Sequence, residues 1–369
     1  MIQTDIITDD GQTFVETEYG RLGLGLQLPP TRALKFDTLA SKIPLMDMSI
    51  VREVISRTDF EFGQALFDSE WITYQNGFGA CAAWGGASAL DKMQFMDGQP
   101  RAWLSGDYLY SLVNGGRDRG AMLDDVMEAL MNNGVCTAKT VPLGDIYPSM
   151  YDKAVADAEA KRWRGHELYA VPDEQSMATA LAMRMPVVIA IHVTRRWRQF
   201  DSDDVLAECN GVGNHCEHLD DIRYSTKHGR LEYRKATSHG KDYSGDGYCW
   251  TAWDLHYKQA SRNHVFYAVA GATKDPQGDH PPRPGGDSAP SPSPTIKPRL
   301  TMFTRNGCGY CSIWKEQVKP GVVAAGIEVI EQNGSGAVPQ FELAVNGKTE
   351  SHRGGWPLAE IQEAIRRLS

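Results

Sequence analysis

Cys81 ends the segment Gln75-Asn-Gly-Phe-Gly-Ala-Cys81, in which two glycines shape a loop ahead of a helix-compatible run that starts Ala82-Ala-Trp84. A thiol at a helix N-terminus is acidified by the helix dipole and gains nucleophilicity as its thiolate. Such a thiol needs a base, which must be a histidine distant in sequence. Gln75, six residues upstream, is placed to lend an amide N–H to an oxyanion alongside the backbone N–H of Cys81. His215, in Gly213-Asn-His215, is one histidine that could serve. His264, in Asn263-His-Val-Phe-Tyr267, is a second candidate and reads better as a partly buried strand residue.

A second thiol site lies near the C-terminus. Arg299-Leu-Thr-Met-Phe-Thr304 reads as a strand, Cys308-Gly-Tyr-Cys311 follows an Asn-Gly turn, and residues 312–318 continue as a helix. Cys-x-x-Cys at a strand-to-helix junction makes the first sulfur the attacking thiolate and the second the resolving one. Zinc would need a second ligand pair, and this region offers only His352. Zinc competes in the first region too, where Cys209, His215, Cys216 and His218 fall within ten residues. Neighbouring strand residues point to opposite faces, however, so this spacing chelates poorly and no metal is expected.

These sites need elements to hold them. Helical periodicity follows Cys81, recurs over residues 121–131, and returns over 173–183. Strand-like runs come later: the β-branched, apolar Pro186-Val-Val-Ile-Ala-Ile-His-Val193, then Leu231-Glu-Tyr-Arg234 and Gly247-Tyr-Cys-Trp250. Helices first and strands second indicate an α+β domain. Residues 275–298 include 8 prolines among 24 positions, so they read as an extended, solvated linker. The expected division is an arm over 1–45, a main domain over 46–274, the linker over 275–298 and a small domain over 299–369.

At 369 residues, with 41% hydrophobic and 23% charged content, the chain accommodates about two globular domains. The net charge of -9 argues against nucleic acid or an anionic membrane as partner. The N-terminus lacks a positive region followed by an apolar one, and no run of about 18 apolar residues occurs, so a soluble chain without a signal peptide is expected. Seven cysteines are too few and too scattered for a disulfide framework, which makes a reducing compartment the default.

The first region resembles the papain-like cysteine peptidases, in a branch found in bacteriophage and bacterial genomes. The resemblance rests on Gln-x-Gly-x-Gly-x-Cys and on a downstream order: Leu104-Ser105, Tyr108-Leu109, Asn114-Gly-Gly-Arg-Asp-Arg-Gly120, Asn133-Gly-Val-Cys136, Val141-Pro142, Gly213-Asn-His215, and Gly240-Lys-Asp-Tyr-Ser-Gly-Asp-Gly-Tyr248. It spans about residues 45 to 272 and implies a two-lobed α+β domain with Cys81 as nucleophile, His215 as base, Gln75 as oxyanion donor and Gly120 lining the substrate groove. Where the family has Asn-Ser-Trp-Gly, this chain has Thr237-Ser-His-Gly240. Thr237 would then orient the imidazole, and His239 replaces the shielding indole. The strand after His215 is polar, with Glu217 on the same face as His215 and able to take part of the missing Asn's role.

The second region resembles the glutaredoxins of the thioredoxin superfamily, on Phe-Thr-Arg-Asn-Gly-Cys-Gly-Tyr-Cys, Ala337-Val-Pro339 and Gly354-Gly355. The resemblance implies a small α/β fold, a redox-active Cys308/Cys311 pair faced by Pro339, and Arg305 as a cation for glutathione, the one small-molecule partner expected. Few residues separate Cys311 from Pro339, so an intervening helix is expected to be missing. Together the two resemblances imply peptide-bond hydrolysis on a peptide or protein substrate, coupled to thiol-disulfide exchange. The alternative is a structural, virion-associated protein that reuses both folds and assembles through residues 1–45; a cytoplasmic or virion location fits either.

Overall fold

The structure is a computed structural model that describes residues 5–9, 12–17, 20–99, 101–272, 299–304, 311, 314–315, 318–324, 327–333, 340–345, 348–353, 361, 364–365 and 367. The chain divides into two compact units, Met1–Thr273 and Lys274–Ser369.

The first unit is built around one buried helix. Helix α1 spans Met48–Ile55, and α2 spans Cys81–Met96 with 14 of its 16 residues buried, which makes α2 the axis of the unit rather than a surface element. Its small residues allow this: Gly86 packs against Leu109, Val126 and Met127 on one side, and Gly85 meets the Glu217 carbonyl and the Cys216 sulfur on the other. The first side is helical, with α3 over Gly106–Val113 and α4 over Leu123–Asn132. Helix α5, Lys153–Ala160, adjoins it through Asp157, which accepts from the Tyr108 hydroxyl, whereas α6, Glu174–Ala182, packs with α1 against the main sheet. Asp173 caps α6 by accepting from the Ser176 N–H at 2.8 Å, so the helix starts where a carboxylate can satisfy an orphan donor.

The other side of α2 is a sheet. The N-terminal strands β1 (Asp5–Asp9), β2 (Gln12–Thr17) and β3 (Gly20–Leu24) form a separate antiparallel meander. Strand β4, Leu26–Gln27, pairs in parallel with β5, Ala121–Met122. The main sheet takes β6 (Gly165–Val171), β7 (Val187–Ile191), β8 (His215–Ser225), β9 (Arg230–Ala236), β10 (Tyr248–Thr251) and β11 (Phe266–Ala272). Its order is β10-β9-β8-β7-β11-β6, antiparallel throughout. The helical pattern expected from residue 121 begins two residues later, because Ala121 and Met122 are taken by pairing with β4.

The polarity of β8 is explained by what flanks it. Cys216, His218 and Asp220 turn towards α2, where buried Lys92 donates to the Asp220 carboxylate and Arg234 adds bonds to Asp220 at 2.8 and 3.0 Å. A buried carboxylate is tolerated only when paired this fully. Burial works to raise the pKa of Asp220, but Arg234 and Lys92 prevail and hold it well below the usual carboxylate range. Burial pushes Lys92 down to about 8.

The second unit contains a four-stranded sheet of order β13-β12-β14-β15, with β12 at Arg299–Thr304, β13 at Glu328–Asn333, β14 at Gln340–Val345 and β15 at Lys348–Arg353. Strand β12 runs parallel to β13 and antiparallel to β14, and a short helix α7 covers Lys319–Ala324. Strand β13 ends at Asn333, with residues 334–339 between it and β14. Trp314 and Phe341 meet at 4.7 Å in its core, which also buries Cys311. Among the described residues, no helix is long and apolar enough to cross a membrane.

Candidate active site

Cys81 is the first residue of α2 and is fully buried. Ala80, which precedes it, supplies no side-chain cap, so the helix N-terminus keeps its orphan N–H groups directed at the space around the sulfur. The approach of α2 to β8 at Gly85 sets this thiol beside His215, the first residue of β8 and also fully buried. Burial pulls the His215 pKa down, but the adjacent Cys81 sulfur and the Glu217 carboxylate outweigh it and leave it raised to about 9. Neither ring nitrogen completes a hydrogen bond; Nε2 stands 3.5 Å from Glu217 Oε1.

Glu217 is the hub behind the imidazole. Thr237 donates its hydroxyl to Oε1 at 2.6 Å, and buried Lys235 donates to Oε2. Burial works to raise the carboxyl pKa, but Lys235 and His215 dominate and hold it well below the usual range. Thr237 therefore reaches His215 only through Glu217. The indole of Trp197 stands edge-on to the His215 ring at 5.7 Å and carries the Lys235 ammonium 4.0 Å from its centre. His239 lies tilted against His215, centroids 4.6 Å apart, and burial together with His215 pushes its pKa well below the ordinary 6.5.

Gln75 is fully buried, and its side chain is fixed at both ends. Ser238 donates to Oε1, while Nε2 donates to the carbonyls of Gly23 and Phe78, both at 2.9 Å. Asp118 accepts from the Gly79 N–H at 2.9 Å and from the Tyr110 hydroxyl at 2.8 Å, and that hydroxyl in turn accepts from the Gly120 N–H. The reactive loop and Gly120 are thus tied to one carboxylate.

The N-terminal segment crosses this site. Gly25 lies so close to the reactive loop that an added Cβ would fall 1.9 Å from the Gly79 carbonyl oxygen. Gly120, at φ +84, would place a Cβ 2.0 Å from the Gly25 oxygen. The Ala121 N–H donates to that Gly25 oxygen at 2.7 Å, and the Leu26 N–H to the Asn214 carbonyl at 3.4 Å. Residues 23–27 therefore run between the Cys81 loop, Gly120 and the residue before His215.

Of the residues singled out in the sequence, Cys81, His215, Glu217, Thr237, Gln75 and Gly120 converge on this one region. His264 donates its bond elsewhere, to the Gly213 carbonyl at 3.1 Å. The Cys209, His215, Cys216 and His218 quartet does not assemble: Cys216 turns to α2, and Cys209 contacts Thr194. Among the described residues, the donors that do cluster are His215, Glu217 and His239. Lys235, Trp197 and Asp118 were not singled out. Lys235 alone carried a readable signal, since it shares the alternating face of Thr237. Cys308, Arg305 and Pro339 lie outside the described residues; Cys311 is disulfide-bonded.

No protein-family model and no curated protein matches the chain. Among solved structures, it is similar to xylellain, a cysteine protease from Xylella fastidiosa, with TM-score 0.50 and 18% identity over 66% of this chain and 94% of that one. It is also similar to proCathepsin B S9 from Trypanosoma congolense (TM-score 0.46, 15% identity, 66% and 85% covered). A third is the structure of the cysteine protease and lectin-like domains of Cwp84, a surface layer associated protein of Clostridium difficile (TM-score 0.45, 15% identity). The match covers 55% of this chain and 49% of the Cwp84 chain, about half its length. Over 66% of its length, then, the chain has the mixed α+β fold of the papain-like cysteine proteases.

Proposed function

We propose that this chain hydrolyses peptide bonds through Cys81 and His215. The observation that carries the reading is the Cys81 sulfur at the start of α2 against a buried imidazole that Glu217 backs from the other side. The Cys81 thiolate attacks the carbonyl carbon of a peptide or protein substrate, and His215 gives its proton to the departing amine as the C–N bond breaks. Water, losing its proton to His215, then cleaves the thioester and restores the thiol site. Gln75 donates to the oxyanion with the N–H that otherwise bonds Gly23, while Gly120 leaves room for substrate backbone. Glu217, held by Lys235 and Thr237, keeps the imidazole in orientation.

The C-terminal unit reads as a thiol-disulfide exchange module using Cys308, Cys311, Pro339 and Arg305, with glutathione as redox partner. The strand order with one parallel and two antiparallel pairs, and a buried, disulfide-bonded Cys311, support that reading. An epoxide that alkylates active thiolates is the test of the hydrolase. Labelling confined to Cys81, together with cleavage of a peptide library that Cys81→Ala abolishes, is expected. A folded chain that takes up no label at Cys81 and cuts nothing after removal of residues 1–27 rules the activity out.

A further inference from the structure

His239 has no part in the hydrolytic steps, yet its surroundings ask for a ligand. It is buried, and neither of its ring nitrogens has a hydrogen-bond partner; the same holds for both nitrogens of His215 beside it. A buried polar group left without a hydrogen bond costs its desolvation uncompensated, so such a pair is rarely left without purpose. The donor atoms of His215, Glu217 and His239 lie within 4.8 Å of one another, with Nε2 of His215 3.5 Å from Oε1 of Glu217. In a tetrahedral zinc site, bonds of about 2.0–2.1 Å place ligand atoms ~3.4 Å apart and paired imidazole centres ~5 Å apart. The two rings here are 4.6 Å apart.

We propose that His215, Glu217 and His239 form a binding site for a tetrahedral transition-metal ion of the zinc type. Two imidazole nitrogens, that of His215 giving up its proton as the ion binds, and one carboxylate oxygen make a three-ligand set with one open position. Thr237 and Lys235, bonded to the Glu217 carboxylate, orient that ligand from behind. Trp197 packs against both imidazole rings and Tyr243 against the Lys235 ammonium, which fixes the ligands on one side and leaves the fourth position to water. The binding claim stands on this geometry; only its consequence, that a loaded ion takes His215 out of use as a base, rests on the hydrolase reading.

Co2+ is the probe, titrated into the full-length Cys81→Ala chain so that the thiol contributes nothing. One ion per chain is expected, with the visible absorption of four-coordinate Co2+, displaced by added Zn2+. His239→Phe should weaken binding about tenfold or more, and Glu217→Gln should weaken it in the same direction. Circular dichroism identifies which variants are folded, and either folded variant decides the matter. Absence of the four-coordinate spectrum, or equal binding in a folded variant and its parent, as an ion held elsewhere on the chain would give, overturns the site. Co2+ binding alongside no peptide cleavage by the Cys81-bearing chain freed of residues 1–27 sinks the hydrolase alone; cleavage by that chain without Co2+ binding sinks the metal site alone.

Discussion

His215 Nε2 faces Glu217 Oε1 across 3.5 Å, and Glu217 is itself held by a buried lysine and a threonine. A carboxylate on the strand of the imidazole thus stands where the Thr237 hydroxyl was expected, and Thr237 bonds to that carboxylate instead. Glu217→Gln keeps the shape but loses the charge, and kcat/KM for peptide cleavage should fall about 10²-fold with KM little changed, since only the positioning of the base is lost. Glu217→Ala should also leave Lys235 buried and unpaired, costing ~3–5 kcal/mol in denaturant unfolding. A Gln variant with wild-type kcat would remove Glu217 from the machinery.

The same pair sets a pH limit. The His215 pKa is raised to about 9, so the imidazolium that partners the thiolate persists through neutrality. Its contribution to stability is complete below the ordinary 6.5 and is lost as pH rises through about 9. Alkylation of Cys81 should hold level through neutral pH and decline on the alkaline side near 9. In Glu217→Gln the decline should move to lower pH, because a group that raises the His215 pKa is gone. An alkaline limb that does not move in the variant contradicts the assignment.

Residues 23–27 run between the Cys81 loop, Gly120 and Asn214, across the place where the proposed hydrolase would seat its substrate, and Cys81 and His215 are both fully buried. Gly25→Val places a side chain against the Gly79 carbonyl, so the segment cannot seat. Epoxide labelling of Cys81 should speed up by about tenfold or more in Gly25→Val and in a chain lacking residues 1–27, each factor of ten corresponding to ~1.4 kcal/mol of segment affinity. Equal labelling rates in all three chains would mean the segment leaves the groove freely.

Much of this arrangement was legible locally. The helix from Cys81 and the β7 strand were readable from their composition, small residues in the one and a β-branched apolar run in the other, both buried nearly all round, while the two faces of β8 follow from strand alternation. The path of Gly23–Gln27 was not legible: its partners, Ala121 and Asn214, are remote, and no local pattern states which edge a short strand joins. Nor was Trp197, whose place against His215 comes from a loop between β7 and β8 that only tertiary packing directs. Thr237 was read as touching the imidazole directly, since Lys235 and Glu217 meet only when β8 and β9 pair.

Asp220 ties the helix that bears Cys81 to the strand that bears His215, and its two cations are not equivalent. Arg234 offers bonds to both carboxylate oxygens, at 2.8 and 3.0 Å, while Lys92 donates to one oxygen and sits so far from water that burial lowers its pKa to about 8. A lysine whose folded pKa is depressed works against the fold below its unfolded value of 10.5, which offsets part of what its bond contributes. Lys92→Met fills the space with an apolar chain and leaves Asp220 paired to Arg234. Urea unfolding should therefore show a change within about 1–2 kcal/mol, of either sign. Asp220→Asn strands two buried cations at once and should cost ~3–5 kcal/mol. Should Lys92→Met prove the more damaging of the two, Arg234 is not the principal partner, and the lysine is what holds α2 to β8.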